Sequence, residues 1–304
     1  MMQLWTSAEW RREAVAWMDS RLASAGMTRT GEVEQPRVQS WATVLRASTN
    51  RGVVWLKACG PGTAFEVPLY PLLHRLAPDR VLTPIAVDVE RSWLLLPDGG
   101  PTMRDSPRDL AEVLVGYAKL QLSLADHVDE LIAIGVTDMR AAIMPTRFAE
   151  AMAAVGDYVE HRGDSAAHET FAELTRFEPT FREWCDRLAE DPVPPSLDHN
   201  DLHQSNVFAT GAKFYDWGDS VVAHPFASLL LPMTRAEDHR VRDAYLAEFG
   251  SPSQLVESAE LACRVGKVAR TLVWVRALGG DLDHEYASAP LEHMASLLSD
   301  SYLL

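Results

Sequence analysis

The stretch that decides the reading is His199-Asn200-Asp201-Leu202-His203-Gln204-Ser205-Asn206, followed by Tyr215-Asp216-Trp217-Gly218-Asp219. Its polar groups are packed between apolar neighbours, and polar groups beside a core need a structural or chemical use. Asn206-Val207-Phe208-Ala209 and Lys213-Phe214-Tyr215-Asp216 read as the two arms of a hairpin turned by Thr210-Gly211. A tight hairpin returns Asp216 to the side of Asn206. A carboxylate and an amide oxygen are hard donors of the kind magnesium prefers. Asp201, just ahead of them, has a carboxylate that can meet an attacking hydroxyl, as base or as orienting group. The chemistry these groups suit is phosphoryl transfer, which needs positioning and charge neutralisation more than covalent participation by the protein.

Other uses of the same residues compete. Standing alone, Asp201 and Asn206 would pass for ordinary turn residues. His199 and His203 are four apart, a spacing that suits a zinc pair on a helix and would make a metal-dependent hydrolase. Neither a His-Glu-x-x-His motif nor a third soft ligand accompanies them, and the context is loop and strand. His199 reads instead as an imidazole holding the loop backbone. His203 reads as orienting Asp201 or the phosphates, with a merely structural role as the alternative.

Upstream, Val53-Val54-Trp55-Leu56-Lys57-Ala58 places a lysine in an apolar strand, where it calls for a partner. Glu66, in the following helical segment, is the natural one, and the ammonium of Lys57 can neutralise phosphate charge. A snorkelling Lys57 with a solvent-facing Glu66 is the alternative. The segment Gln35 to Trp41 is expected to lie over the phosphates. It contains no glycine, and neither a P-loop signature nor Gly-x-Gly-x-x-Gly occurs in the chain. Backbone amides around Val38 to Ser40, with the Ser40 hydroxyl, are the groups available there.

Around these motifs the chain organises itself plainly. Trp5, Ala8, Val15, Trp17, Met18 and Leu22 recur at roughly helical spacing, with Thr6 and Glu9 as a capping box. Val33 to Val38, Trp41 to Ala47 and Gly52 to Ala58 read as an antiparallel meander. Phe65 to Leu76 reads as a helix with its prolines near the start, and Val81 to Val89 and Ser92 to Leu96 as two further strands. Pro97-Asp98-Gly99-Gly100 marks a turn and a boundary. Beyond it the reading is helical: a helix capped by Ser106 with Pro107 and Asp109, buried through Leu110, Val113, Leu114, Tyr117 and Leu120, then helices near 147 to 161, 167 to 189, 234 to 249, 253 to 279 and 287 to 299. The expected architecture is α+β, with a strand-rich region over 1–98 and a helical region over 99–304.

Composition narrows the function classes. In 304 residues, 47% hydrophobic, there is ample apolar material for a core. The formal charge of -15 argues against binding to nucleic-acid backbones or anionic membranes; it would also tolerate a cationic small molecule, with a merely solvated acidic face as the alternative. The three cysteines, Cys59, Cys185 and Cys263, are scattered and odd in number, so a reducing cytoplasm is expected rather than a disulfide framework. No run of eighteen apolar residues predicts a membrane span.

The string His199 to Asn206 followed by Tyr215-Asp216-Trp217-Gly218-Asp219 resembles the aminoglycoside phosphotransferase and choline kinase-like family, where His-Gly-Asp-Leu-His-x-x-Asn precedes Ile-Asp-Trp. The resemblance covers about Gln35 to Ala269, and the first helix looks like an addition to it. It implies a two-lobed protein kinase-like fold, with a small antiparallel-sheet N-lobe (1–98, nucleotide-binding) and a mainly helical C-lobe (99–304, carrying the catalytic loop, metal site and acceptor pocket). It implies ATP and Mg2+ as cofactors and a small-molecule hydroxyl acceptor, in a monomer or homodimer. Asp201 matches the catalytic base, Asn206 and Asp216 the magnesium ligands, Lys57 and Glu66 the phosphate-positioning pair, and Leu94 to Asp98, including Leu96 and Asp98, the hinge that meets adenine. Asp219, three positions after Asp216, is the expected acceptor-binding residue, with Tyr117, Asp126, Trp274 and Arg276 as further wall residues. Three departures stand out: Asn200 replaces a glycine, Gln204-Ser205 replaces Pro-Gly, and Phe226 to Ser228 lacks the aspartate that supports the catalytic loop. With the glycine-free loop, they raise the alternative of a nucleotide-binding pseudokinase that regulates a partner.

Overall fold

The computed structural model describes residues 1–235 and 238–299, so positions 236 and 237 of the expected 234 to 249 helix and the last residues of the chain lie outside the described residues. The chain divides into two compact units, one formed by Met1–Pro107 with Gln204–Gly218, the other by Arg108–His203 with Asp219–Leu304. The segment Gln204–Gly218, which the sequence reading assigns to the second lobe, therefore makes its contacts in the first unit.

The first unit is built on a five-stranded antiparallel sheet of β1 (Arg29–Val38), β2 (Ala42–Thr49), β3 (Gly52–Cys59), β4 (Ala86–Asp88) and β5 (Trp93–Pro97), in the order β1-β2-β3-β5-β4. Side chains alternate between the faces of a strand, and β3 shows the consequence. Val54, Leu56 and Ala58 are buried on one face beneath the helix Ala8–Ser24, together with Trp10, Ala14, Trp17, Met18 and Leu22 of that helix. Trp93 of β5 receives the edges of Trp10 and Trp17 at centroid distances of 6.2 and 5.6 Å. Lys57 belongs to the opposite face. That is how an apolar-looking strand carries a lysine without placing it in the core.

The first helix is capped one residue later than the spacing predicts. Ser7 accepts from the Trp10 amide at 3.2 Å, while Thr6 turns its hydroxyl back to the carbonyls of Met2 and Gln3. The expected strand from Val81 shrinks to Ala86–Asp88. Lys213 donates to the Pro78, Asp79 and Val81 carbonyls and the Phe214 amide donates to Arg80, so the backbone before Pro84 serves the hairpin instead of the sheet. That hairpin pairs Val207–Phe208 with Lys213–Phe214. It closes on the turn after β5: a Cβ on Gly99 would lie 2.4 Å from the Phe208 ring, so only glycine fits there.

The second unit is mainly helical. Its larger helices are Leu110–Leu124, Met144–Arg162, Ser165–Ala189 and Pro252–Leu278, with shorter ones at Val128–Ala133, Leu230–Arg235, His239–Leu246 and Ala289–Ala295. The first is capped by Asp109, which accepts from the Ala111 amide at 3.0 Å, and not by Ser106. Between the helices lies a three-stranded sheet absent from the sequence reading, with Val221–Ala223 central, parallel to Thr137–Asp138 and antiparallel to Ser196–Asp198. Asp198 pairs with Val221, which sets the end of one strand, where the His199 loop begins, beside the start of the other, just after Asp219. Cys59, Cys185 and Cys263 are free and buried, and among the described residues no helix is long and apolar enough to cross a membrane.

Candidate active site

In the first unit, the face of β3 opposite the tryptophan core presents Lys57 to the start of the helix Glu66–Leu76. The Lys57 ammonium lies 2.6 Å from Glu66 Oε2 and 2.5 Å from Asp216 Oδ1. Glu66 is only 1% exposed and is held from two further sides: the Trp217 amide donates to its Oε1 at 3.1 Å, and the Cys59 thiol donates to Oε2 at 3.7 Å. Burial works against the ammonium of Lys57, but the Asp216 and Glu66 carboxylates outweigh it and hold its pKa well above that of an ordinary lysine. Lys57 is therefore a fixed positive charge at neutral pH. The alternative of a snorkelling lysine and a solvent-facing glutamate is overturned.

Asp216 has a φ of 64°, in the left-handed region that non-glycine residues seldom occupy. Asn206, at the other end of the hairpin, is 5% exposed, and its carbonyl accepts from the Tyr215 amide at 3.1 Å. Tyr215 donates its hydroxyl to the Ser205 carbonyl and stacks on Phe208 at 4.1 Å, pinning the hairpin that joins the two residues. The donor set fits magnesium: one amide oxygen and one carboxylate leave most of an octahedron for phosphate oxygens and water. A zinc pair at His199 and His203 is not supported, since among the described residues no group of three His, Cys, Asp or Glu is placed to hold a metal ion. Imidazole chemistry at His203 is used otherwise, as described below.

Two expected nucleotide-binding positions have structural work in the first unit. The Asp98 carboxylate accepts from Trp55 Nε1 at 2.9 Å and from the Gly100 amide at 2.7 Å, so it fixes the turn that follows β5. Leu96, within β5, pairs with Trp55. The connection between β1 and β2 is shorter than the expected Gln35 to Trp41, because β1 runs to Val38 and only Gln39, Ser40 and Trp41 turn the chain. The Trp41 carbonyl accepts from the Gly60 amide at 2.7 Å and the Thr63 hydroxyl at 3.0 Å, tying that turn to the end of β3. Ser40 is half-buried in it.

In the second unit the loop after Ser196–Asp198 carries the other half of the motif. His203 Nε2 lies 3.2 Å from Asp201 Oδ2, and Arg270 Nη1 lies 3.7 Å from Asp201 Oδ1. Burial raises the Asp201 pKa, but the His203 hydrogen bond and the Arg270 charge outweigh it, so the carboxyl is held below the usual range and is ionised at neutral pH. His203 thus orients Asp201. His199 is fully buried, and its amide donates to the Tyr117 hydroxyl at 2.8 Å. Asn200 has a φ of 58°, and its side-chain amide donates to the Asp219 carbonyl at 3.3 Å. Asparagine tolerates this region better than most residues, so Asn200 is compatible with the left-handed backbone found here.

Among the acceptor candidates, Tyr117 is fully buried beneath the small sheet, where its hydroxyl bonds to the Leu197 and His199 backbone; it is core and not a pocket wall. Asp219 is half-buried, and its charge acts on Arg276, whose Nη1 donates to the Thr137 hydroxyl at 2.9 Å. Trp274 is half-buried against Tyr286, with its indole donating to His293. Three residues that sequence reasoning missed are central: Asp198, Ser228 and Arg270. Asp198 stands beside His199 and Asn200, and Arg270 in a helix that also carries Arg264, Lys267 and Arg276, so neither shows the lone charge in an apolar run that exposed Lys57.

The model of the phosphotransferase enzyme family matches residues 43–262. The chain belongs to that family. Its fold is the protein kinase-like fold of solved phosphotransferases at low sequence identity. An ethanolamine kinase from Plasmodium vivax is 13% identical with a TM-score of 0.62, covering 88% of this chain and 82% of that one. A choline/ethanolamine kinase family protein from Mesorhizobium loti is 17% identical with a TM-score of 0.56, covering 94% and 95%. The GDP complex of wild-type aminoglycoside 2'-phosphotransferase-IIIa is 14% identical with a TM-score of 0.58, covering 93% and 98%. No functionally curated protein matches the chain.

Proposed function

We propose that this family member is a kinase that transfers the γ-phosphoryl group of ATP, with Mg2+, to a hydroxyl of a small molecule, an aminoglycoside, amino sugar or amino alcohol. The observation that carries the reading is the Lys57 ammonium held 2.6 Å from Glu66 and 2.5 Å from Asp216, a half-buried cation fixed by one carboxylate beside a second one suited to a metal. In this reading residues 1–98 bind the nucleotide, with Ser40 and the backbone around Leu96 and Asp98 as its contacts, and residues 99–304 receive the acceptor at Asp219.

Lys57 neutralises phosphate charge without having to be ordered at the moment of reaction, because Glu66 has already fixed it. Asn206 and Asp216 would hold Mg2+, which when bound supplies charge neutralisation at the transferring phosphoryl group. Asp201, ionised and oriented by His203, takes the proton of the acceptor hydroxyl. Similar solved structures hold GDP in aminoglycoside 2'-phosphotransferase-IIIa, and ADP with spectinomycin in a spectinomycin phosphotransferase, which supports nucleotide use and a small-molecule acceptor. The net charge of -15 favours a cationic acceptor.

The test is to incubate purified protein with Mg2+, ATP or GTP, and a panel of aminoglycosides, amino sugars, choline and amino alcohols, following products by mass spectrometry and nucleotide binding by calorimetry. A protein-dependent phosphorylated product from the wild type, lost by about 100-fold or more in Asp201→Asn while the nucleotide still binds, is the expected result. Nucleotide binding with no turnover in either protein would establish the pseudokinase instead.

A further inference from the structure

The family resemblance leaves one support missing: the turn Phe226 to Ser228 lacks the aspartate that holds the catalytic loop. In this chain Ser228 stands in that turn and is bonded to Asp198. Ser228 Oγ donates at 2.6 Å to Asp198 Oδ1, and the same oxygen accepts from the Asn200 amide at 2.9 Å. Asp198 is 1% exposed and Ser228 4%. Arg270, from the helix Pro252–Leu278, lies beside them and donates to the Asn200 carbonyl. The two backbone groups of Asn200 are thus gripped separately, its N–H by Asp198 and its C=O by Arg270. A small cavity lined by Asp198, Asn200, Ser228 and Arg270, with Leu202, Ala227, Leu230 and Leu231, has room for about one water.

The geometry points to Asp198 as a positioning residue for phosphoryl transfer: with Ser228 and Arg270 it locks Asn200 in its left-handed conformation and thereby aims the neighbouring Asp201. Two hydrogen bonds to one oxygen are a small return for a carboxylate kept in a core, since burying a charge is costly. The cost is explained if the carboxylate holds a backbone whose conformation is itself unfavourable. The charged and titratable groups facing Asp198 come from three helices: Tyr117 from Leu110–Leu124, Tyr245 from His239–Leu246, and Cys263 and Arg270 from Pro252–Leu278. Only Arg270 is a cation. Burial therefore dominates and pushes the Asp198 carboxyl up to about 6, against the Ser228 and Asn200 hydrogen bonds and the Arg270 charge.

This inference rests on Asp201 as the base, and its test separates the two. Backbone amide exchange and chemical shifts of Asn200 are followed by NMR in the full chain. In the wild type the Asn200 amide is protected and its shift titrates with a midpoint near 6. In Asp198→Ala it exchanges at least about ten-fold faster, while the amides of Val221 to Ala223 keep their protection. In Asp198→Asn, which keeps an acceptor oxygen, it stays protected without the titration. The double variant Asp198→Ser with Ser228→Asp recovers protection that either single change loses. With an acceptor identified by the substrate panel, Asp198→Ala lowers kcat by about ten-fold or more and moves the nucleotide KM less than two-fold. Asp201→Asn, by contrast, removes turnover and leaves the Asn200 amide protected. Unchanged Asn200 exchange in Asp198→Ala, or in Ser228→Asp alone should Asp198→Ala fail to fold, overturns the proposal whatever the enzyme phosphorylates.

Discussion

Asn200 shows how a single backbone angle can decide what a residue type means. With φ at 58° and its side chain on the Asp219 carbonyl, it occupies a position where a Cβ is usually costly. Asn200→Gly is expected to fold and to turn over within a few-fold of wild type, whereas Asn200→Ala should lose about 1–2 kcal/mol of stability through the left-handed penalty. Chemical denaturation of the two variants makes the comparison. Lys57 and Glu66 behave as a coupled pair: removing only the cation leaves a buried carboxylate unpaired. Lys57→Met should therefore cost about 3 kcal/mol or more, and the double variant with Glu66→Gln, which keeps an acceptor for the Trp217 amide, should recover most of it. Turnover should remain about 100-fold down in both. If stability does not recover in the double variant, the pair is not the unit it is taken to be. Lys57, Glu66, Asp201 and Asp216 were legible because a charge or a dense polar run inside apolar sequence demands a use. Asp198 and Arg270 have polar or charged neighbours in sequence and carried no such signal, and their partners are set by strand register and by the packing of a distant helix, which spacing alone does not place.

At the scale of elements, the long periodic helices and the meander of the first three strands were readable because their side-chain periods repeat over many residues. The three-stranded sheet was not, since strands of two or three residues show no period, and Ser196–Asp198 and Val221–Ala223 owe their existence to each other. Caps were displaced from Thr6 to Ser7, the Thr6 hydroxyl being taken by the Met2 and Gln3 carbonyls, and from Ser106 to Asp109, because several capping residues stand within a few positions of each helix start. Asp191 shows one carboxylate fastening several elements after the helix Ser165–Ala189. It accepts from the Val193 amide at 2.8 Å and from the Ser258 hydroxyl, and lies 3.5 Å from His224 Nε2. Burial raises its pKa, but these partners outweigh burial and bring it down to about 2. A carboxyl lowered in the folded state adds stability above its unfolded pKa of about 4, and that contribution fades as pH falls toward 2. Asp191→Asn should accordingly melt below wild type at pH 7, with the gap closing between about pH 4 and 2. A gap that stays constant across that range would mean that packing, not ionisation, is what Asp191 supplies.

For the whole molecule, the charge of -15 is a property no single site explains. Within the first unit, Lys57 is neutralised by Glu66 and Asp216; within the second, Arg270 is engaged by Asp201 and the Asn200 carbonyl. The cations beside the proposed chemistry are thus compensated locally, and the field of the chain as a whole is that of its acidic excess. Such a field attracts a cation and repels an anion at distances beyond contact, and salt screens it within about 10 Å at 0.1 M. The two substrates of the proposed reaction should then respond oppositely to ionic strength. For a cationic acceptor, kcat/KM should fall several-fold as salt rises from about 0.02 to 0.3 M, because attraction is being screened. For the nucleotide, an anion even with its metal, kcat/KM should stay level or rise over the same range. A neutral acceptor of similar size should show neither trend. Steady-state kinetics at fixed pH and Mg2+ concentration distinguish these cases, and a cationic acceptor whose kcat/KM is flat in salt would remove the acidic surface from any part in substrate capture.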